Sequence, residues 1–208
     1  MDTSGDYSVA EDRANTASAA LGLLVVMAGL PFLFRSAQDK GSLAGTLVFG
    51  MAAFLMYFAS TLYHALPPGR VRSVARIFDH SAIFILIAGT YTPFALGPLR
   101  EHRGMELLIA EWVLAGFGIL FKIGGGIRYR RISASIYVGM GWLGIFWLPA
   151  FIQEVTWTGF GWILAGGLFY TAGLIFYNAK GKPFTHLIWH FFVLAGTCCH
   201  GFAVWHYA

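Results

Sequence analysis

Apolar residues run along this chain in seven long blocks, at about 17–34, 43–65, 77–97, 106–123, 133–151, 157–177 and 186–205. Short polar or Gly/Pro-rich breaks separate them, at 36–41, 67–72, 98–104, 124–131, 153–154 and 178–183. Each block is close to the ~20 apolar residues that a helix needs to cross the hydrocarbon of a bilayer. None shows the sustained alternation of a barrel strand. The pattern predicts an all-α integral membrane protein, a bundle of seven transmembrane helices, over residues 15–208. Residues 1–14 are polar, with Asp2, Asp6, Glu11 and Asp12, and read as a disordered tail. The first block does not read as a cleavable signal peptide, because its leader is acidic rather than basic and no small-residue cleavage site follows. No linker is long enough to divide the chain into two domains, and no internal repeat stands out.

Composition strengthens this reading. Of 208 residues, 57% are hydrophobic and 12% charged, against roughly 45–50% and about 25% in an ordinary soluble domain. That is too little charge to coat a water-soluble globule and too much hydrophobicity for disorder. The net charge of +4 does not point to nucleic acid, since the basic residues fall in short clusters between apolar blocks. With seven crossings, Arg13, Arg70, Arg72, Arg76, Lys122, Arg128, Arg130, Arg131, Lys180 and Lys182 share the side of the N-terminus. Arg35, Lys40, Arg100 and Arg103 take the other. Ten basic residues against four predict a cytoplasmic N-terminus and a C-terminus outside. The 26 glycines fit close helix–helix approach in lipid. Cys198 and Cys199 are adjacent and have no third cysteine to pair with, so they read as small packing residues rather than a disulfide framework.

Ionisable residues inside membrane helices are expensive and mark functional sites by default. Here they gather. Ser60 and His64 lie four apart near the end of the second block, Asp79 and His80 open the third, and His186 and His190 lie four apart at the start of the seventh. Residues four apart share a helix face, and under the topology above all three positions fall at the cytoplasmic ends of their helices. Three imidazoles on two helices with a carboxylate nearby suit a metal site that keeps an open coordination position. Imidazole without thiolate favours zinc, and an i, i+4 histidine pair can grip one ion from one face. Taken singly, each histidine reads first as sitting at the headgroup level or donating to a backbone carbonyl; the metal reading rests on the group at matched depth. His200 is ten residues beyond His190, about 15 Å along a helix, too far to share the ion, and an interhelical hydrogen bond is expected for it. His80 is expected to face away from Asp79. Glu111 could be a relay group, but it reads first as a partner for a neighbouring helix. His102 and His206 carry no signal.

The stretches Ser60-Thr-Leu-Tyr-His64, Asp79-His-Ser-Ala-Ile with Ala88-Gly-Thr-Tyr-Thr-Pro-Phe94, and His186-Leu-Ile-Trp-His190 followed by Gly196 and His200 resemble the hemolysin III family. That family is the bacterial branch of the progestin and adipoQ receptors, in a larger group with the alkaline ceramidases. The resemblance extends from the first block to the last. It implies seven transmembrane helices in the bacterial cytoplasmic membrane, with a zinc ion held by His64, His186 and His190 near the cytoplasmic face. Asp79 would hold or deprotonate a zinc-bound water, with Ser60 beside it. The family commonly carries N-x-x-T-H at the start of the first span; Asn15 is kept here, while Ser18 and Ala19 replace the Thr and His. Any role of that first-helix histidine is therefore expected to be absent.

Three functions fit these features. One is a zinc-dependent membrane hydrolase acting on a lipid-like substrate, with Asp79 as general base and Ser60 as hydrogen-bond donor to a developing oxyanion. The substrate guess, an N-acyl amide of the ceramide type, comes from the resemblance to ceramidases. The second is a receptor-like sensor whose zinc clamps two helices. The third, from the family name, is a cytolytic, pore-forming protein, which a chain hydrophobic throughout and lacking the export signal of a secreted toxin does not favour. Membrane lipids are the expected partners, and nucleic acid is not.

Overall fold

The first helix begins inside the polar stretch, because that stretch contains a start signal. Ser8 and Glu11 form a reciprocal cap: the Ser8 hydroxyl accepts from the Glu11 amide, and the Glu11 carboxylate accepts from the Ser8 amide at 3.0 Å. This pairing satisfies two otherwise unpaired helix-start donors. The computed structural model describes residues 7–37, 39–179 and 182–208. In it the expected disordered tail is corrected, since α1 (Val9–Ser36) takes in residues 9–14. Asp2 and Asp6 of that tail, and Lys180 of the charge count, lie outside the described residues.

Six further helices follow: α2 (Lys40–Ala65), α3 (Arg70–Leu96), α4 (Gly104–Ile123), α5 (Arg130–Gly141), α6 (Leu148–Asn178) and α7 (Thr185–Tyr207). No strand occurs among the described residues. α2 starts where Asp39 accepts from the Ser42 amide at 2.7 Å and stops at Ala65, just before Leu66-Pro67-Pro68, as a residue preceding proline disfavours helix. The expected fifth span, 133–151, is not one helix. α5 ends at Gly141, a tight turn at Leu143–Trp147 follows, and α6 begins at Leu148. α6 is itself interrupted at Thr156, which sits at φ 65°, an unusual conformation for a β-branched residue. The Thr156 hydroxyl accepts from the Gly159 amide at 3.4 Å, the cap of a fresh helical segment. The break read at 153–154 is thus real and falls two residues later.

α2 packs most extensively on α3, α6 on α7, and α1 on both α2 and α7. Close approach is built in at Gly45, where an added Cβ would lie 2.5 Å from the Pro93 Cα. The surface is apolar: Leu24, Phe117, Phe146 and Ile175 are all more than 60% exposed. Polar groups are turned inward, with Asn15, Glu111, Lys122 and Ser133 nearly or fully buried. Such an inverted distribution belongs in lipid. Four helices (α1, α2, α4 and α7) and the stretch Arg130–Asn178 are long and apolar enough to cross a membrane. The chain is therefore a multi-pass membrane protein. α3 is long but more polar, because most of its length faces protein rather than lipid. Two of the basic residues counted as interfacial charges are also buried. The Lys122 ammonium donates to the Ser133 hydroxyl at 2.5 Å, and Arg72 pairs with Asp12. The expected helix partner of Glu111 is corrected too, since among the described residues neither of its buried carboxylate oxygens has a hydrogen-bond partner.

Candidate metal centre

His64 comes from the last turn of α2, and His186 and His190 come from the first turns of α7. The packing of α1 against both helices brings them together. The three imidazoles are buried, and one ring nitrogen from each lies within 4.8 Å of those from the others. Ring centroids are 5.0 Å apart for His64 and His186, 5.2 Å for His64 and His190, and 4.6 Å for His186 and His190. Both ring nitrogens of His64 and Nδ1 of His186 are buried without hydrogen-bond partners among the described residues. Leaving such groups unpaired costs free energy, and a divalent ion would satisfy them. An all-imidazole donor set suits zinc, copper, iron or nickel rather than magnesium or calcium.

Asp79 and Ser60 are both buried. They line one internal cavity with His80, His186 and His190, and that cavity continues past Thr90 and Trp142 to Phe94, Phe151 and His200. From His186 to His200 is 14 residues of α7, so the cavity extends roughly 20 Å along the bundle at the helical rise. Its walls are mostly apolar and aromatic. His80 corrects its expected orientation: Nδ1 lies 3.3 Å from Asp79 Oδ2 and donates to the Arg76 carbonyl at 2.9 Å. The Tyr137 hydroxyl donates to the His80 carbonyl at 2.8 Å, which fixes this turn of α3 against α5. His200 makes the expected interhelical bond, Nε2 to the Ile163 carbonyl at 3.0 Å.

Three groups at the centre come from the stretch before and at the start of the first span. The Tyr7 ring lies 5.6 Å from that of His64 and 5.2 Å from that of His186. Burial pushes its phenol above the usual range, so it is a neutral cover for the two imidazoles. Asp12 Oδ1 is 3.6 Å from His64 Nδ1. The Ser18 hydroxyl is 2.8 Å from His190 Nδ1, so the first helix still serves the histidines although the family's own histidine is replaced by Ala19, which lines the cavity. The sequence did carry a signal for these residues: Ser8-x-x-Glu11 marks a helix start and so places Asp12 and Ser18 on ordered turns.

The family model described as Haemolysin-III related matches residues 7–201. The chain is 39% identical to "Hemolysin-3 homolog" of Bacillus subtilis (strain 168), over 97% of this chain and 96% of that protein. It is 40% identical to "Hemolysin-3" of Bacillus cereus, over 96% and 92%. Identity to "Monocyte to macrophage differentiation factor" of Homo sapiens is 28%, over 95% and 84%. No solved structure matches the chain.

Proposed function

The chain belongs to the Haemolysin-III related family, and from that premise we propose that it is a zinc-dependent hydrolase of lipid N-acyl amides in the bacterial cytoplasmic membrane. It crosses that membrane seven times: α3 crosses despite its polarity, and the Arg130–Asn178 stretch crosses twice, turning near Thr156. The N-terminus is cytoplasmic. A reporter fused after Ala208 should report an external C-terminus, and cytoplasmic signal there would overturn this topology.

One observation carries the activity. Among the described residues three buried histidines converge without a fourth ligand, and two of them, His186 and His190, line one end of a long, mostly apolar cavity together with Asp79 and Ser60. Catalytic zinc sites keep three protein ligands and an open position, whereas structural sites are closed. Bound there by His64, His186 and His190, zinc would lower the pKa of a coordinated water to about 7 and polarise a carbonyl. The cavity walls hold the acyl chain and exclude water. Asp79 takes the proton of the attacking water and returns it to the leaving amine, while Ser60 donates a hydrogen bond to the carbonyl oxygen as negative charge develops. The products are a fatty acid and an amine.

The test is incubation of the purified, zinc-loaded protein with a panel of acyl amides and esters. Turnover is expected with a long-chain amide and should vanish in a His186→Ala control. No turnover by the parent on any substrate would leave the zinc as a clamp between α2 and α7.

A further inference from the structure

Nδ1 of His64 and Nδ1 of His190 both face polar side chains of α1. At His190 the neighbour is a hydroxyl with a second acceptor in reach: Ser18 Oγ lies 3.0 Å from the Asn15 carbonyl and 2.8 Å from His190 Nδ1. With its single proton on the carbonyl, the hydroxyl accepts from Nδ1, and His190 then keeps its free lone pair on Nε2. At His64 the neighbour is a carboxylate. Asp12 Oδ1 stands 3.6 Å from Nδ1 and cannot swing away, because Arg72 grips both carboxylate oxygens, at 2.6 and 2.8 Å. Arg72 is anchored in turn by the Leu66 carbonyl at 3.1 Å, at the end of the helix that carries His64. The same turn of α1 reaches α7, where Glu11 Oε1 accepts from the Phe184 amide at 3.0 Å, two residues before His186.

We propose that the first turns of α1 form the orienting shell of the metal centre. Asp12, clamped by Arg72, and Ser18 are positioning residues: they hold the hydrogen on Nδ1 of His64 and His190, so that both rings present Nε2 to a divalent ion. The inference rests on the metal-binding reading of the three histidines. It does not need the hydrolytic one. A carboxylate or hydroxyl behind a ligating imidazole fixes the tautomer and ring angle, and a carboxylate also raises the basicity of the ligating nitrogen. The polar stretch before the first span is then part of the site.

The test uses the full-length protein in detergent, loaded with Co²⁺ and titrated with a chelator. The visible cobalt absorption bands and the Tm of the metal-free protein are recorded alongside. Asp12→Asn and Ser18→Ala should each weaken cobalt binding by about 10–100-fold and change the bands; the metal-free Tm should stay unmoved in Ser18→Ala and fall in Asp12→Asn, which breaks the ion pair with Arg72. Ser18→Thr, which keeps the hydroxyl, should restore the parent affinity. Unchanged affinity and spectrum in both variants would overturn the proposal. So would an affinity loss in Ser18→Ala matched by a fall in metal-free Tm and not restored by threonine, since that describes packing alone. A parent protein that binds neither cobalt nor zinc would overturn the metal reading beneath it, and that failure shows in the unaltered chain.

Discussion

The double variant His64→Ala/His190→Ala should contain no zinc by elemental analysis, where the parent contains one ion per chain. The substitutions leave a single imidazole, His186, at a site where three buried rings lie within 4.6–5.2 Å of one another. One buried imidazole cannot replace the hydration shell of a divalent ion. The same variant should lose the thermal protection that zinc gives the parent. A ligand that binds only the folded state stabilises it by about 2.7 kcal/mol when present at about a hundred times its Kd. Added zinc should therefore raise the Tm of the parent and leave that of the variant unchanged. Stoichiometric zinc in the double variant would mean that the ligands lie elsewhere.

The membrane character and the grouping of the three histidines were legible in the sequence for different reasons. Apolar blocks of span length are a property of each segment alone, so α2, α4 and α7 fall where the pattern puts them, and α1 does so apart from its earlier start at Val9. His64, His186 and His190 could be grouped because an i, i+4 pair and a common depth are also local quantities. What could not be read was anything settled by contact between distant segments. Ser18 meets His190 across 172 residues, and Arg72 meets Asp12 across 60. No local pattern encodes either meeting. His80 was read from helix periodicity as facing away from its neighbour, yet its hydrogen bond to the Arg76 carbonyl turns the ring back toward Asp79. The fifth block failed differently. Its hydropathy is continuous, and the break after Gly141 follows from backbone conformation that hydropathy does not register.

Asp79→Asn should separate a catalytic zinc from a structural one more sharply than loss of the metal does. The substitution keeps the size of the side chain and one acceptor oxygen, but removes the charge and the basic oxygen. If three histidines supply the protein ligands of an open site, metal content should change little, although altering a group that acts through the bound water can weaken metal affinity by about 10–100-fold. Turnover should fall by roughly 10²–10⁴-fold, the usual contribution of a positioned general base. His80 makes the expectation specific. Its Nδ1 hydrogen is engaged by the Arg76 carbonyl and faces Asp79 at 3.3 Å, which favours a carboxylate over a neutral amide at position 79 and holds its orientation beside the cavity. Zinc content and turnover should be measured on the same preparation. Full activity in Asp79→Asn would remove Asp79 from the reaction. Complete loss of zinc would make it a direct ligand, and the site would then be a closed four-ligand clamp between α2, α3 and α7, with no position left for water.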